Sequence, residues 1–251
     1  MAAPDDHELA AALAAEAGEA LLALRARVEE EPDRRWTMKA DGDRLAHDLI
    51  VAALAAARPG DAVLSEEGVD DSNRLSARRV WIVDPLDGTR EFGDPPRRDW
   101  AVHIALWADG DLVAGAVALP AEGLVLSTAQ PPVLPAARAE PPRLLVSRSR
   151  PHPLVTKVLA PALGGDLVPL GSAGAKAMAV VRGQAEVYAH AGGQYEWDSA
   201  APVAVARAAG LHASRLDGSP LVYNREDPYL PDLLICRPEL ADPVLSALTA
   251  H

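Results

Sequence analysis

Apolar residues recur every three or four positions over residues 7–31, at Leu9, Leu13, Ala17, Ala20, Leu21 and Leu24, with Glu8, Glu16 and Glu19 between them. That period predicts an amphipathic helix, stopped by Pro32. Leu45, Leu49, Ile50 and Leu54 predict a second helix over 43–57, with Asp41 or Asp43 as its N-cap and Arg58-Pro59-Gly60 closing it. Short β-branched runs at 62–65 and 80–83 predict strands, each ending in acidic residues. Residues 100–107 and 112–119 read as a hairpin around Ala108-Asp109-Gly110-Asp111, and 123–127 as a third antiparallel strand. Such a meander argues against a parallel doubly wound sheet.

Five prolines between Gln130 and Pro142 mark a connection between two lobes, about 1–130 and 143–251, of a single domain. The second lobe alternates strands predicted at 144–147, 167–170 and 185–190 with helices at 153–163, 175–182 and 199–209. Short strands at 213–215 and 221–223 follow, then the strand-like 232–236 and a terminal helix at 241–249. Mixed α/β (α+β) architecture is the fold class these elements imply.

Of 251 residues 49% are apolar, enough for a core. Lys and Arg number 24 against 36 Asp and Glu, a net charge of −12, which lacks the basic footprint of a nucleic-acid binder. A phosphate substrate must therefore be met by local cations. Asp5, Asp6 and Glu8 stand where a secretory leader needs positive charge, and no run of 18 apolar residues occurs, so a cytoplasmic protein without a membrane partner is expected. Cys236, the single cysteine, reads as a small buried hydrophobe.

The densest chemistry is Asp84-Pro85-Leu86-Asp87-Gly88-Thr89, directly after the 80–83 run. Two carboxylates three residues apart at a chain reversal, with the Leu86 carbonyl between them, suit a hard divalent cation, and Gly88 leaves backbone N–H groups open to a phosphate. Alone, such a motif is as well read as an Asx turn. Glu66 and Glu67 stand at the preceding strand end, while Asp43 and Asp198 each read by themselves as helix N-caps. His103 falls in a strand and reads as a packed or rim residue.

In combination, Ser65-Glu66-Glu67, Trp81 to Phe92, Gly171-Ser172-Ala173-Gly174-Ala175-Lys176 and Glu196-Trp197-Asp198-Ser199-Ala200-Ala201 resemble the inositol monophosphatase superfamily, and within it the CysQ-type 3'(2'),5'-bisphosphate nucleotidases. The resemblance runs from about Ala10 to Arg237. It implies a layered α-β-α-β-α sandwich of the inositol monophosphatase and fructose-1,6-bisphosphatase type, a homodimer, and Mg²⁺-dependent, Li⁺-sensitive phosphatase activity with a place in sulfur assimilation. Carried over by position, Glu66, Asp84, the Leu86 carbonyl and Thr89 surround one ion. Asp84, Asp87 and Asp198 hold a second, two or three Mg²⁺ being expected in all. Asp43 and Thr89 orient the attacking water. The segment Arg35 to Gly42 departs from the family's usual approach to Asp43.

The small-molecule substrate implied is adenosine bisphosphate, its 3'-phosphate removed by metal-activated water. Its second phosphate needs cations away from the metals. Lys176, Ser147, Arg148 and Arg150 are the candidates, with Gly88, Thr89, Ser172 and Asp198 at the reacting end; Lys176, in an otherwise apolar helix, is expected to reach somewhere wet. Where inositol phosphatases present a substrate-binding Glu, His190 or Ala191 stands, and Gly192-Gly193 gives a close backbone approach. Inositol 1-phosphate or fructose 1,6-bisphosphate is the alternative substrate, and a non-catalytic nucleotide- or metal-binding regulator the alternative class.

Overall fold

The computed structural model describes residues 4–30, 36–137 and 141–250. Helices α1 (Pro4–Glu30) and α2 (Met38–Ala57) lead into β1 (Ala62–Ser65) and β2 (Arg79–Asp87). The short α3 (Thr89–Phe92) and the meander β3 (Ala101–Ala108), β4 (Asp111–Leu119) and β5 (Leu124–Ser127) follow. These strands form one sheet in the order β1-β2-β3-β4-β5, with only β1 and β2 parallel.

Beyond the proline-rich connection, whose residues 138–140 lie outside the described residues, come β6 (Arg143–Ser147), a π-helical turn (Leu154–Leu159) running into α4 (Ala160–Leu163), and β7 (Asp166–Leu170). Then follow α5 (Ala173–Val181), β8 (Val187–Tyr195), α6 (Glu196–Ala208), β9 (His212–Ser214), β10 (Tyr229–Cys236) and α7 (Ala241–Thr249). The second sheet is ordered β7-β6-β8-β10-β9, parallel across β7-β6-β8 and antiparallel beyond.

Alternation along the strands explains the layering. On β2, Trp81 and Val83 pack with Leu13, Leu21, Ile50 and Leu54 of α1 and α2, whereas Val80 and Ile82 join Met178, Val180, Val203 and Val205 of α5 and α6. In the second sheet Leu145, Tyr188 and Ile235 face the same α5–α6 layer, and Leu144, Val187 and Leu234 face Leu159 and Val244 outside. Both sheets are thus covered on both faces, giving the α-β-α-β-α order. Leu13, Leu21, Leu24, Trp81, Ile82, Tyr188 and Ile235 are all buried, consistent with the apolar period read along α1 and the strands.

Several expectations are corrected. The second helix begins at Met38, not residue 43; its N-cap Thr37 makes no side-chain capping bond to the first turn, so no capping signature marks the start. Asp43 is therefore inside the helix and not its cap. The strand from 79 does not stop before Asp84 but continues to Asp87, because an irregularity in pairing with β3 accommodates Pro85 and Leu86. Residues 221–223 form no strand; Leu221 and Tyr223 are buried against the central layer without sheet pairing. Cys236 is buried as expected.

Candidate active site

Asp84 pairs with His103 across the ladder and Asp87 with Ala101, leaving Pro85 and Leu86 in the bulge between. A proline donates no N–H to a ladder, so a bulge is where a strand tolerates it. Leu86 N–H turns back to Asp84 Oδ1 at 3.1 Å. Gly88 follows at φ +86°, and a Cβ there would stand 2.9 Å from that of Ser172. Glycine thereby lets the end of β2 press against the start of α5.

Asp87 is buried at that junction. Its Oδ2 accepts from Gly174 N–H at 2.6 Å, its Oδ1 from Ala173 N–H at 3.2 Å, and His103 Nε2 lies 3.2 Å from Oδ2. The His103 Nδ1 side meets the Trp197 carbonyl at 3.1 Å. Asp198 is the third residue of α6 and not its N-cap; Oδ2 reaches back to Tyr195 N–H at 2.7 Å. The result is that one carboxylate oxygen from each of Asp84, Asp87 and Asp198 lies within 4.8 Å of the others. Glu66 joins through its N–H to the Val83 carbonyl at 3.2 Å, which brings its carboxyl near enough to Asp84 for the two to influence one another's charge. Thr89 Oγ1 sits 3.3 Å from Asp43 Oδ1 and 3.2 Å from the Leu86 carbonyl, so α2 and β2 meet at one hydroxyl.

Burial first, and neighbouring negative charge second, move most of these groups away from their ordinary values. Desolvation, together with Asp198, Asp87 and Glu67, pushes Glu66 up to about 7 although the residue as a whole is exposed. Desolvation and Glu67 raise Asp43 to about 6, and desolvation and Asp87 raise Asp198 to about 6. Asp84, desolvated and facing Glu66, Asp87 and Asp198, is raised well above the carboxylate range. For Asp87 burial acts upward, but His103, the Gly174 N–H and Lys176 outweigh it and hold it below the ordinary value. Three converging carboxylate oxygens, two of them on groups raised by burial and mutual repulsion, with Glu66 beside them, fit a hard divalent cation.

A cavity of about 790 Å³ is lined by Asp87, Gly88, Ser172 and Asp198 and also by Ser147, Arg148, Ser149 and Arg150. Asp43, Glu66, Asp84, Leu86 and Thr89 do not line it and join it through the contacts above. Lys176 lines it too, yet is 6% exposed and not wet. Its ammonium donates to the Gly171 carbonyl and, at 2.7 Å, to that of Ser172, and sits 5.3 Å from the Tyr188 ring centroid. Desolvation lowers its pKa against the pull of the nearby acids. Ser172 Oγ caps α5, accepting from Ala175 N–H at 3.0 Å. Arg148 is half-exposed and bonded to Asp99 Oδ2 at 3.1 Å. Asp99 also accepts from Arg97 at 2.8 Å and Gly171 N–H at 2.6 Å. Burial acts upward on Asp99, but Arg97 and Arg148 hold it down to about 2.

The sequence carries no sign of the roles of Asp99 and Arg90, or of the contact that His103 makes with Asp87. Arg90 lines the cavity one residue after Thr89 and stood unread inside the quoted motif. His103 had one available signal, an imidazole in an otherwise apolar strand; its partners Asp87 and Trp197 come from another strand and another helix.

A match to the inositol monophosphatase family spans residues 5–242. The chain belongs to this family. It is 54% identical to the 3'-phosphoadenosine 5'-phosphate phosphatase of Mycobacterium tuberculosis over 241 residues, 93% of this chain and 89% of that protein. The CysQ structure from Bacteroides thetaiotaomicron, 29% identical, superposes with a TM-score of 0.75 over 93% of this chain and 97% of that one. Inositol monophosphatase II from Staphylococcus aureus, at 22% identity, shares the fold with a TM-score of 0.79 over 97% and 93%. As a member of the inositol monophosphatase family the chain is a metal-dependent phosphatase, and its acidic cluster can hold the metal. Among the described residues no helix is long and apolar enough to cross a membrane.

Proposed function

We propose that this inositol monophosphatase family member removes the 3'-phosphate of 3'-phosphoadenosine 5'-phosphate, and of its sulfated analogue, with Mg²⁺. The observation that carries the reading is the oxygen cluster of Asp84, Asp87 and Asp198 at a cavity that Ser147 to Arg150, with their two guanidinium groups, also line. That layout suits a substrate with anionic groups at two ends, and the mycobacterial relative bears the name of that activity.

Glu66, Asp84, Asp87, Asp198 and the Leu86 carbonyl would hold Mg²⁺, in two or three positions. When bound, Mg²⁺ offsets phosphoryl charge and makes water more acidic. Asp43, raised to about 6 and linked through Thr89 Oγ1 at 3.3 Å, is placed to accept the proton of the attacking water at its carboxylate. Asp87 is fixed by two backbone N–H groups and His103, so it keeps its charge and its aim when substrate arrives. Gly88 and Ser172 border the reacting phosphate, and Lys176 stiffens the 171–172 turn under it. Arg148 and Arg150 meet the second phosphate; among the described residues the Arg150 guanidinium has no acidic partner, and Arg148 reaches the cavity from its Asp99 anchor.

Li⁺ inhibition, a homodimer, a cytoplasmic place in sulfur assimilation and two lobes acting as one phosphatase domain complete the reading. The net charge of −12 supports a small-molecule partner over nucleic acid. Phosphate release from the nucleotide with Mg²⁺, with EDTA and with added Li⁺ tests it. Release only with Mg²⁺ and less of it with Li⁺ supports the proposal, and no release with Mg²⁺ removes it.

A further inference from the structure

On β8, Gln194 lines the same cavity as Asp87 and Asp198 and is only 7% exposed, yet among the described residues neither its amide nitrogen nor its amide oxygen has a hydrogen-bond partner. Six residues earlier on that strand, Tyr188 also lines the cavity, is 1% exposed, and finds no hydrogen-bond partner for its hydroxyl among the described residues. Buried polar atoms in folded proteins are paired in the great majority of cases, because an unpaired one has given up water for nothing. Two cavity-lining side chains thus carry unpaired polar atoms, which a polar ligand seated against them would satisfy.

Beside Gln194 stands Tyr195, 46% exposed and also lining the cavity. Its ring is stacked on Trp197, with centroids 4.7 Å apart and planes 12° apart, and meets Tyr229 edge-on at 6.1 Å. A side chain at Gly193 would collide with the Tyr229 ring, so the glycine keeps this aromatic cluster closed up. Held in this way, Tyr195 offers an aromatic surface that loses little rotamer freedom when a ligand packs on it.

We propose that Gln194, Tyr195 and Tyr188 form a nucleobase subsite, in which the Gln194 amide pairs with the donor–acceptor edge of adenine and the base packs on Tyr195. This rests on the nucleotide reading above and assigns the part of the substrate that the phosphate-binding groups do not touch. A glutamine amide carries a donor and an acceptor in one plane, which matches the adjacent acceptor and amino donor of adenine. Aromatic rings take any flat base. An inositol or hexose ring has neither a flat face nor such an edge, so the subsite sorts nucleotides from cyclic polyols.

The test compares kcat/KM for adenosine 3',5'-bisphosphate with that for the base-free 1-O-methyl ribose 3,5-bisphosphate, in the wild-type protein, Gln194→Met and Tyr195→Ser. The adenosine preference of the wild type should fall at least about tenfold in each variant. Gln194→Met should also keep or raise the Tm of the ligand-free protein, since it removes an unpaired buried amide. Preference unchanged in both variants, or losses equal on the two substrates, would overturn the subsite. Tyr195 is at an exposed position, so its variant answers the question even where Gln194→Met fails to fold. A wild-type protein that hydrolyses the base-free ester but not the nucleotide would overturn the nucleotide reading itself, which separates the two failures.

Discussion

Alanine at Gly174 should destabilise this protein, against the ordinary rule for helices. Gly174 lies in the first turn of α5, where replacing glycine by alanine normally gains up to about 1 kcal/mol. Here the new Cβ would run into His103 Nε2 and stand 3.0 Å from the Ala101 Cβ. His103 is 0% exposed and held by the Trp197 carbonyl at 3.1 Å and Asp87 at 3.2 Å, so it has no free space to swing into. Overpacking of this kind costs about 1–3 kcal/mol, and weakening a charge-assisted contact adds about 1.5 kcal/mol. The helix gain is outweighed, leaving a net loss of about 2–3 kcal/mol, or a Tm lower by about 4–12 °C for a chain of this size. Thermal unfolding followed by circular dichroism in EDTA reads this directly. A Tm that rises would refute the reasoning, for it would mean that His103 is not wedged between α5 and Asp87.

Three further outcomes follow from the same geometry. Asp87→Asn should lower turnover at least about 100-fold and weaken Mg²⁺ binding in calorimetry; activity kept within a few-fold would remove Asp87 from the metal set. Asp43, Glu66 and Asp198 have folded-state values raised from 3.8, 4.5 and 3.8 to about 6, about 7 and about 6. Their contribution to stability is therefore present below pH about 4 and lost as pH rises through about 6 to 7. The Tm in EDTA should fall between pH 5 and pH 8 and Mg²⁺ should abolish the fall; a metal-free Tm that rises over that range would contradict the crowding. Asp99, lowered from 3.8 to about 2, acts in the opposite sense, stabilising above pH about 4 and losing that contribution as pH drops towards 2. Asp99→Asn should cost about 1–2 kcal/mol in urea unfolding at pH 7, after allowing for solvent screening of Arg148, and an unchanged midpoint would show that the Arg97–Asp99–Arg148 link holds nothing.

What was readable along the chain was what local periodicity encodes. Leu13, Leu21 and Leu24 announced α1, and the glycine turn at 108–111 announced the β3–β4 hairpin, because spacing and turn chemistry act over a few residues. Boundaries failed where no local signal exists. Thr37 makes no cap bond, so α2 looked shorter than it is, and Pro85 looked like the end of a strand that a bulge in fact carries onward. The carboxylates Glu66, Asp84, Asp87 and Asp198 could be named from their motifs, but their states could not. His103 and Gly174 reach Asp87 across 16 and 87 positions of chain, and no pattern within either segment encodes that meeting. Lys176 is expected from its sequence to seek water, but the carbonyls of Gly171 and Ser172 give its ammonium partners inside the protein instead. Gln194 carried no signal at all, since an amide in a strand is unremarkable until its missing partners are seen.

The central claim, a metal-dependent phosphatase whose cavity selects a nucleotide bisphosphate, is tested most directly by one side-by-side assay. Values of kcat/KM would be measured for 3'-phosphoadenosine 5'-phosphate, inositol 1-phosphate and fructose 1,6-bisphosphate at saturating Mg²⁺. The account predicts a preference of at least about tenfold for the nucleotide over both other esters. Equal rates on all three would contradict it, leaving the carboxylate cluster as the machinery of a phosphatase that does not discriminate.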